Sequence, residues 1–217
     1  MTSTKPKGLR VKEGQTELYV PHREGELTFI HPYHGPNTHA HVASSIKQAG
    51  LYTPTLAETT SLVHAAFHSD DKYSKEIQRL MKDRYVRGFT RLCYFPQQGA
   101  FGYDEKDHAR FGNLSRQALE NCLGSQEEHG VTYSSDRALR FVPFGFKTER
   151  MSSLELANNP LVHALVGEEG AEQLAEIADK HRDQPYLWSF KSVDQPITRV
   201  PALSSVWGDG RRLSVYG

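Results

Sequence analysis

Cysteine is scarce in this chain, and its scarcity excludes two ways of holding a protein together. Cys93 and Cys122 are the only two, and no C-x-x-C spacing occurs, so neither a disulfide framework nor a four-cysteine zinc site can form. Such low cysteine usage fits a reducing compartment, and we predict a cytoplasmic protein. At 217 residues, the chain is long enough to bury a core without crosslinks.

Net charge and long apolar runs are missing as well. The 26 basic residues balance the 26 acidic residues, so the chain as a whole has no electrostatic attraction to nucleic acid or anionic lipid. No apolar run approaches the roughly 20 residues of a membrane-spanning helix, and none follows the basic N-terminus as in a secretory signal. We therefore expect that the protein has no membrane partner. The composition also argues against a nucleic-acid partner. It leaves open whether the protein forms homo-oligomers.

The short motifs of several large enzyme classes are also absent. The chain contains no G-x-S-x-G elbow, no Walker A loop and no G-x-G-x-x-G fingerprint. Its apolar and aromatic content is nevertheless sufficient for a packed core. The leading hypothesis is therefore a non-catalytic binding or interaction module, and the sequence leaves open whether the protein is an enzyme.

Alternating apolar residues and turn signals predict three β-hairpins. The first joins Thr16–Val20 to Leu27–His31, the second joins Phe89–Phe95 to Ala100–Tyr103, and the third lies within Val206–Tyr216 around the turn at residues 208–210. Strand pairs and helices follow one another in irregular order. This order favours an α+β fold over a regular doubly wound sheet.

Helix signals occur between these hairpins. Asn37 or Thr38 can cap a first helix, and Thr53-Pro54 predicts the start of a second. Asn159-Pro160 restarts a helix that Gly167 ends, and an amphipathic helix follows to His181. We predict β-hairpins and a short mixed sheet packed with five or six helices in a single compact domain over residues 15–217, after a flexible segment at residues 1–14.

Histidines are concentrated near the end of the first hairpin. The cluster consists of His31, His34, His39 and His41. Imidazoles bind transition metals, so three of these side chains can converge on an ion such as Zn²⁺ and leave a position open for water. The alternative is that they are ordinary polar residues of a loop and a helix start. The competing functional hypothesis is accordingly a metal-dependent hydrolase, which convergence of these histidines with an acid such as Glu58 or Asp70 would favour.

A second histidine pair has helical spacing. His64 and His68 are four residues apart on a predicted helix, so both side chains lie on one face within reach of a shared ion. Ala65 occupies the position at which H-E-x-x-H metalloproteases carry their glutamate, so that enzyme class is excluded. We include His64 and His68 among the candidate ligands of a divalent transition metal.

Basic and aromatic residues interleave in two stretches, Arg84–Tyr94 and Arg140–Lys147. Such mixtures occur on the surfaces that bind single-stranded nucleic acid. Half-buried strands produce the same alternation, and neither stretch matches an RRM signature. Single-stranded nucleic-acid binding is therefore a further functional hypothesis.

Four segments resemble small archaeal proteins of unknown function. They are Leu51–Phe67, Phe141–Lys147, Leu154–Ala157 and Gly167–Ala175. The resemblance covers about half of the chain. It implies a cytoplasmic protein, and it implies no activity, fold or site residue.

Overall fold

The computed structural model describes residues 10–12, 17–35, 37–181, 185–187, 189–206 and 212–216. The α-helices of this part are α1 (His39–Gln48), α2 (Leu56–Phe67), α3 (Lys72–Asp83), α4 (His108–Phe111), α5 (Arg116–Glu120), α6 (Ser153–Ala157) and α7 (Pro160–His181). The strands are β1 (Arg10–Lys12), β2 (Glu17–His22), β3 (Gly25–Ile30), β4 (Val86–Arg87), β5 (Thr90–Phe95), β6 (Gly99–Asp104), β7 (Glu127–Glu128), β8 (Val131–Tyr133), β9 (Leu139–Pro143), β10 (Glu149–Arg150), β11 (Tyr186–Leu187), β12 (Ile197–Arg199), β13 (Ala202–Val206) and β14 (Arg212–Tyr216).

The irregular order of helices and strands confirms the α+β prediction. The described residues form seven α-helices against the five or six expected, and three of these span five residues or fewer. Helices of that length are too short to produce a recognisable apolar period in the sequence.

The strands form three sheets. The first is antiparallel with the order β1-β2-β3, and the second is a six-stranded antiparallel sheet with the order β12-β5-β6-β9-β8-β7. The third has the order β10-β11-β14-β13-β4, and it is mixed because β11 and β14 run parallel. The predicted hairpins correspond to β2–β3, β5–β6 and β13–β14, and the turn predicted at residues 208–210 lies outside the described residues.

Strand β1 lies within the N-terminal segment that the sequence predicts to be flexible. It pairs with β2, and Arg10 lies opposite Tyr19. Residues 1–9 and 13–14 of that segment lie outside the described residues, so a boundary before residue 15 stays a prediction.

Side-chain caps fix the starts of the first two helices. Thr38 caps α1, as predicted. Helix α2 begins later than Thr53-Pro54 predicts, because Thr55 accepts a hydrogen bond from the Glu58 amide while the Glu58 carboxylate accepts one from the Thr55 amide. This reciprocal pair satisfies two amides that would otherwise have no partner at the helix start, so it outweighs the preference of proline for the first turn.

Helix α7 starts and bends where the sequence predicts. The side-chain oxygen of Asn159 accepts from the amides of Leu161 and Val162, at 3.0 and 3.4 Å. Gly167 has φ 75°, a left-handed conformation that glycine adopts without steric cost, and it divides the helix in two. The predicted end of one helix at Gly167 is thus a kink between two helical parts.

The main core lies where α2, α3 and α7 pack together. Its fully buried members include Leu56, Val63, Met81 and Leu174. A second cluster on the six-stranded sheet surrounds Phe101. Of the helices in the described ranges, none combines the length and apolar character needed to cross a membrane.

Candidate functional site

A cavity of about 590 Å³ opens beside the β2–β3 hairpin. Its walls come from β3, the loop after it, α1, α2, α3 and the segment 84–89, and most of the lining side chains are apolar. This volume lies in the range of small-molecule sites, roughly 300 to 1,000 Å³. Seven large apolar side chains are exposed in the described residues, and four of them line this cavity: Ile30, Tyr33, Tyr52 and Tyr85.

The cavity follows from the edge position of β3 in its sheet. Residues 27–30 of this strand all line the cavity, and they include the half-buried Leu27 and Phe29. Val42 and Ile46, four residues apart on α1, line the facing wall. Two amphipathic elements thus present apolar faces to the same space without filling it.

His31 and His34 line the cavity, and one ring nitrogen of each already has a partner. The Nε2 atom of His31 lies 2.9 Å from Oε2 of Glu76, and its ring meets the Tyr73 ring edge-on. The Nδ1 atom of His34 lies 3.0 Å from the Ser45 hydroxyl. Both interactions fix the orientation of these rings.

His39 differs from its neighbours. Its ring packs against Phe89 with the centroids 4.7 Å apart, and its Nε2 atom is buried without a hydrogen-bond partner among the described residues. Burial lowers the pKa of His39, and the charge of Glu105 opposes this shift in part. The imidazole is therefore held neutral with one unsatisfied polar atom, an arrangement that costs about 1 to 3 kcal/mol in the absence of a partner.

The predicted histidine cluster converges only in part. His31, His34 and His39 line the same cavity as Glu58, whereas His41 is exposed on α1 and lies outside the lining. The Glu58 carboxylate is held by the Thr55 amide at 2.6 Å. Three potential ligand atoms lie within 4.8 Å of one another in one group of the described residues, and that group contains none of these side chains. Metal binding by this cluster stays a prediction.

That group joins the second histidine pair to an acid from another helix. His64 lies on α2 and His68 directly follows its last residue, the two rings lie side by side, and Glu176 of α7 completes the set. Sequence reasoning missed Glu176, which is one of several acids on the exposed face of an amphipathic helix. The sequence contains no signal for this neighbour, because it lies 112 residues from His64.

Several residues of the basic and aromatic stretches are buried or paired, whereas Tyr85 and Phe144 are exposed. Arg91 is bonded to Glu105 through two nitrogens, at 2.6 and 3.1 Å, and Arg140 lies 3.0 Å from Asp104. Tyr94 is buried in the main core. These guanidinium groups are thus neutralised by carboxylates, and the alternation in this stretch reflects a half-buried strand.

The comparisons with known proteins give little beyond this geometry. No family model matches the chain, and no curated protein matches it. A solved structure described as "Accommodation of massive sequence variation in Nanoarchaeota by the C-type lectin fold" is similar with 10% identity and a TM-score of 0.44, over 82% of this chain and 93% of the other. The predicted resemblance to archaeal proteins of unknown function stays a prediction.

Proposed function

We propose that this protein is a non-catalytic binding module for a small, mostly apolar molecule that carries one hydrogen-bonding group. The ligand occupies the cavity between β3, α1, α2 and α3. The observation that carries this proposal is the cavity itself, whose walls are mostly apolar and include four of the seven large apolar side chains exposed in the described residues.

The cavity walls favour an apolar ligand. Ile30, Tyr33, Tyr52 and Tyr85 expose their side chains around this one site, where they cost solvation free energy in the unbound protein. A ligand that covers them removes apolar surface from water, at about 25 cal/mol per Å². Apolar contact thus supplies affinity without a specific polar network.

The polar contact comes from His39. A neutral imidazole nitrogen either donates or accepts one hydrogen bond, depending on the tautomer. This nitrogen is out of contact with solvent, so a ligand group bonds to it only when the neighbouring side chains move; the bond then removes a penalty of the unbound state and favours ligands with a complementary group. His39 therefore determines orientation and specificity, whereas the apolar walls determine most of the affinity.

Three other polar side chains of the cavity are engaged within the protein, and this favours binding over catalysis. Glu58 is held by the Thr55 amide, Glu76 is paired with His31, and the Thr59 hydroxyl donates to the Thr55 carbonyl at 2.9 Å. A general base or nucleophile needs a free atom directed at the substrate. These groups instead hold the walls of the cavity in place.

A fluorescent probe tests the proposal. N-phenyl-1-naphthylamine is apolar and carries a single N–H group, and we expect it to bind with 1:1 stoichiometry and increased emission. Val42→Trp places a large ring in the cavity and should weaken binding at least tenfold, whereas Ser44→Trp, on the exposed face of the same helix, should leave it unchanged.

The His39→Phe variant isolates the polar contact. It retains the ring packing on Phe89 but removes the nitrogen, so probe affinity should fall while the melting temperature is retained or rises. Absence of saturable probe binding to the wild-type protein, or equal binding by the Val42→Trp variant, would refute the proposed binding site.

The hydrolase hypothesis has one observation in its favour, namely that three histidines and Glu58 share the cavity. Zinc-loaded protein can be assayed with p-nitrophenyl acetate and p-nitrophenyl phosphate. Hydrolysis of either substrate that His39→Ala abolishes would favour the hydrolase over the binding module.

The nucleic-acid hypothesis has a separate test. A steep fall in affinity for single-stranded oligonucleotides with rising salt would support it. Cytoplasmic location and homo-oligomerisation stay predictions.

A further inference from the structure

A second site lies on the surface where α2 packs against α7. His64 lies in the last turn of α2 and His68 is the residue that caps its C-terminal end, and their ring centroids are 4.3 Å apart. Glu176 approaches from α7, and the ligand atoms of the three residues all lie within 4.8 Å of one another. None of the three lines the cavity beside the hairpin.

Backbone geometry orients His68 for coordination. Its Nδ1 atom lies 2.9 Å from the carbonyl oxygen of His64. A carbonyl oxygen only accepts hydrogen bonds, so Nδ1 carries the proton and Nε2 carries the lone pair in the neutral ring. A hydrogen bond of this type on the far nitrogen is the usual support of a metal-binding histidine.

His64 and Glu176 share a hydrogen bond that a metal ion can replace. Nε2 of His64 lies 2.6 Å from Oε2 of Glu176, while the other carboxylate oxygen lies 3.9 Å from Nε2 of His68. Burial lowers the pKa of His64 although its ring donates a hydrogen bond to Glu176, and that hydrogen bond lowers the pKa of Glu176. Neutral imidazole and ionised carboxylate are the forms that bind metals.

The two histidines are largely buried and therefore held in position, whereas the glutamate is exposed and can adjust its conformation. The side chains of His64 and His68 are 12% and 18% exposed, whereas that of Glu176 is 56% exposed. Tetrahedral zinc with bonds of about 2.0 to 2.1 Å separates its ligands by about 3.3 Å. Nε2 of His64 and Oε2 of Glu176 lie closer together than this, and rotation of the exposed Glu176 side chain can supply the small increase in their separation.

Lys180 lies one turn beyond Glu176 on α7, but its hydrogen bond goes to a backbone carbonyl and not to the Glu176 carboxylate. Its ammonium group donates to the carbonyl oxygen of Phe67, at 2.6 Å, near the C-terminal end of α2. That carbonyl is one of the last of the helix, which lack intrahelical partners. Both carboxylate oxygens of Glu176 therefore face the histidines and not the lysine.

We propose that His64, His68 and Glu176 bind a divalent transition ion of the zinc class. Two imidazole nitrogens and one carboxylate oxygen supply three ligands, and solvent completes the coordination sphere. When Nε2 of neutral His64 binds the ion, its ring proton moves to Nδ1, and the ion links α2 to α7 across their packed surface. The proposal is independent of the ligand cavity, so either can fail alone.

Zinc titration of the untagged, full-length protein after chelator treatment tests the site. We expect one equivalent of Zn²⁺ with a Kd in the micromolar range or below, a higher Tm with zinc, and visible Co²⁺ absorption of the intensity typical of four-coordination. His68→Ala and Glu176→Gln should each weaken zinc binding at least tenfold.

Matched controls separate ligation from charge and folding. Glu172→Gln removes the same charge one turn earlier on the exposed face of α7 and should bind zinc like the wild type. Circular dichroism and Tm of the metal-free variants should match the wild type. The proposal is overturned if the wild-type protein shows no saturable binding, if His68→Ala and Glu176→Gln bind zinc normally, or if the double variant His39→Ala/His41→Ala is the one that loses it.

Discussion

Gly88 lies directly against the first turn of α2, and a β-carbon on it would fall 2.3 Å from the Cα atom of Leu56. The same contact is reinforced on both sides. The Phe89 amide donates to the Pro54 carbonyl at 2.7 Å, and the Leu56 amide donates to the Thr90 hydroxyl at 2.9 Å. This close approach places Phe89 beside His39 and closes one end of the cavity.

Gly88→Ala should therefore be strongly destabilising. The added methyl group meets backbone atoms, which cannot rotate away as a side chain can, and overpacking of this kind costs about 1 to 3 kcal/mol. Urea denaturation measures the loss. Gly25→Ala is the control, because its nearest neighbour would be a carbonyl oxygen at 3.8 Å; equal stability of the two variants would contradict the explanation.

Thr55 and Thr53 should differ in their effect on stability. Replacing Thr55 with Ala removes one half of the capping box with Glu58, and loss of such a cap costs about 1 kcal/mol. Thr53→Ala should have an effect of less than about 0.5 kcal/mol, because that residue does not cap α2. Thermal denaturation of the two variants at neutral pH decides which threonine starts the helix.

Asn159 should be the most sensitive polar residue at the start of α7. It is buried, its oxygen caps the helix, and its amide nitrogen donates to the Lys147 carbonyl at 2.8 Å. Asn159→Ala should reduce the free energy of unfolding by about 2 kcal/mol, since it removes a cap and leaves a carbonyl without this donor. Asn159→Asp keeps the capping oxygen but sets a buried carboxylate oxygen against the Lys147 carbonyl, so it should not restore the lost stability, and the exposed Asn158→Ala serves as the reference in chemical denaturation.

The ion pair of Glu105 and Arg91 should make stability depend on acid pH. Burial raises the pKa of Glu105, but the hydrogen bonds and charge of Arg91 outweigh it, so the pKa lies below the ordinary value of 4.5. The ionised form therefore favours the folded state. This stabilisation is complete above the unfolded pKa and is lost as the pH falls through the lower folded pKa.

Glu105→Gln should thus reduce the unfolding free energy at neutral pH by about 1 to 2 kcal/mol and by much less near pH 3. Urea denaturation at several pH values measures the difference. The exposed Glu24→Gln variant should show no comparable pH dependence. A Glu105→Gln effect that stays constant with pH would show that the carboxylate acts through shape and not charge.

Local chemistry explains which parts of the fold could be predicted. Caps and breaks such as Thr38, Asn159 and Gly167 act within a few residues, so the sequence contains the whole interaction. The error at the start of α2 was avoidable, since Thr55 is followed three residues later by Glu58, which is the signature of a capping box.

The sites depend on pairings that local patterns do not contain. Helical spacing alone brings His64 and His68 together, but Glu176 joins them only because α2 packs against α7. In the same way, Glu76 meets His31 because α3 faces the end of β3. Periodicity identifies the apolar face of each element and not the element that will cover it.

The kink at Gly167 gives the two parts of α7 separate rotational phases. Before it, the Ala164 carbonyl lies close to Gly102 of the six-stranded sheet; beyond it, Glu176 faces α2. A one-residue insertion just after Gly167 would turn Glu176 by about 100° away from His64, and it would turn the buried Leu174 and Ile177 away from the main core as well. The orientation of the proposed metal ligand is therefore tied to the packing of the core and not to the contact with the sheet.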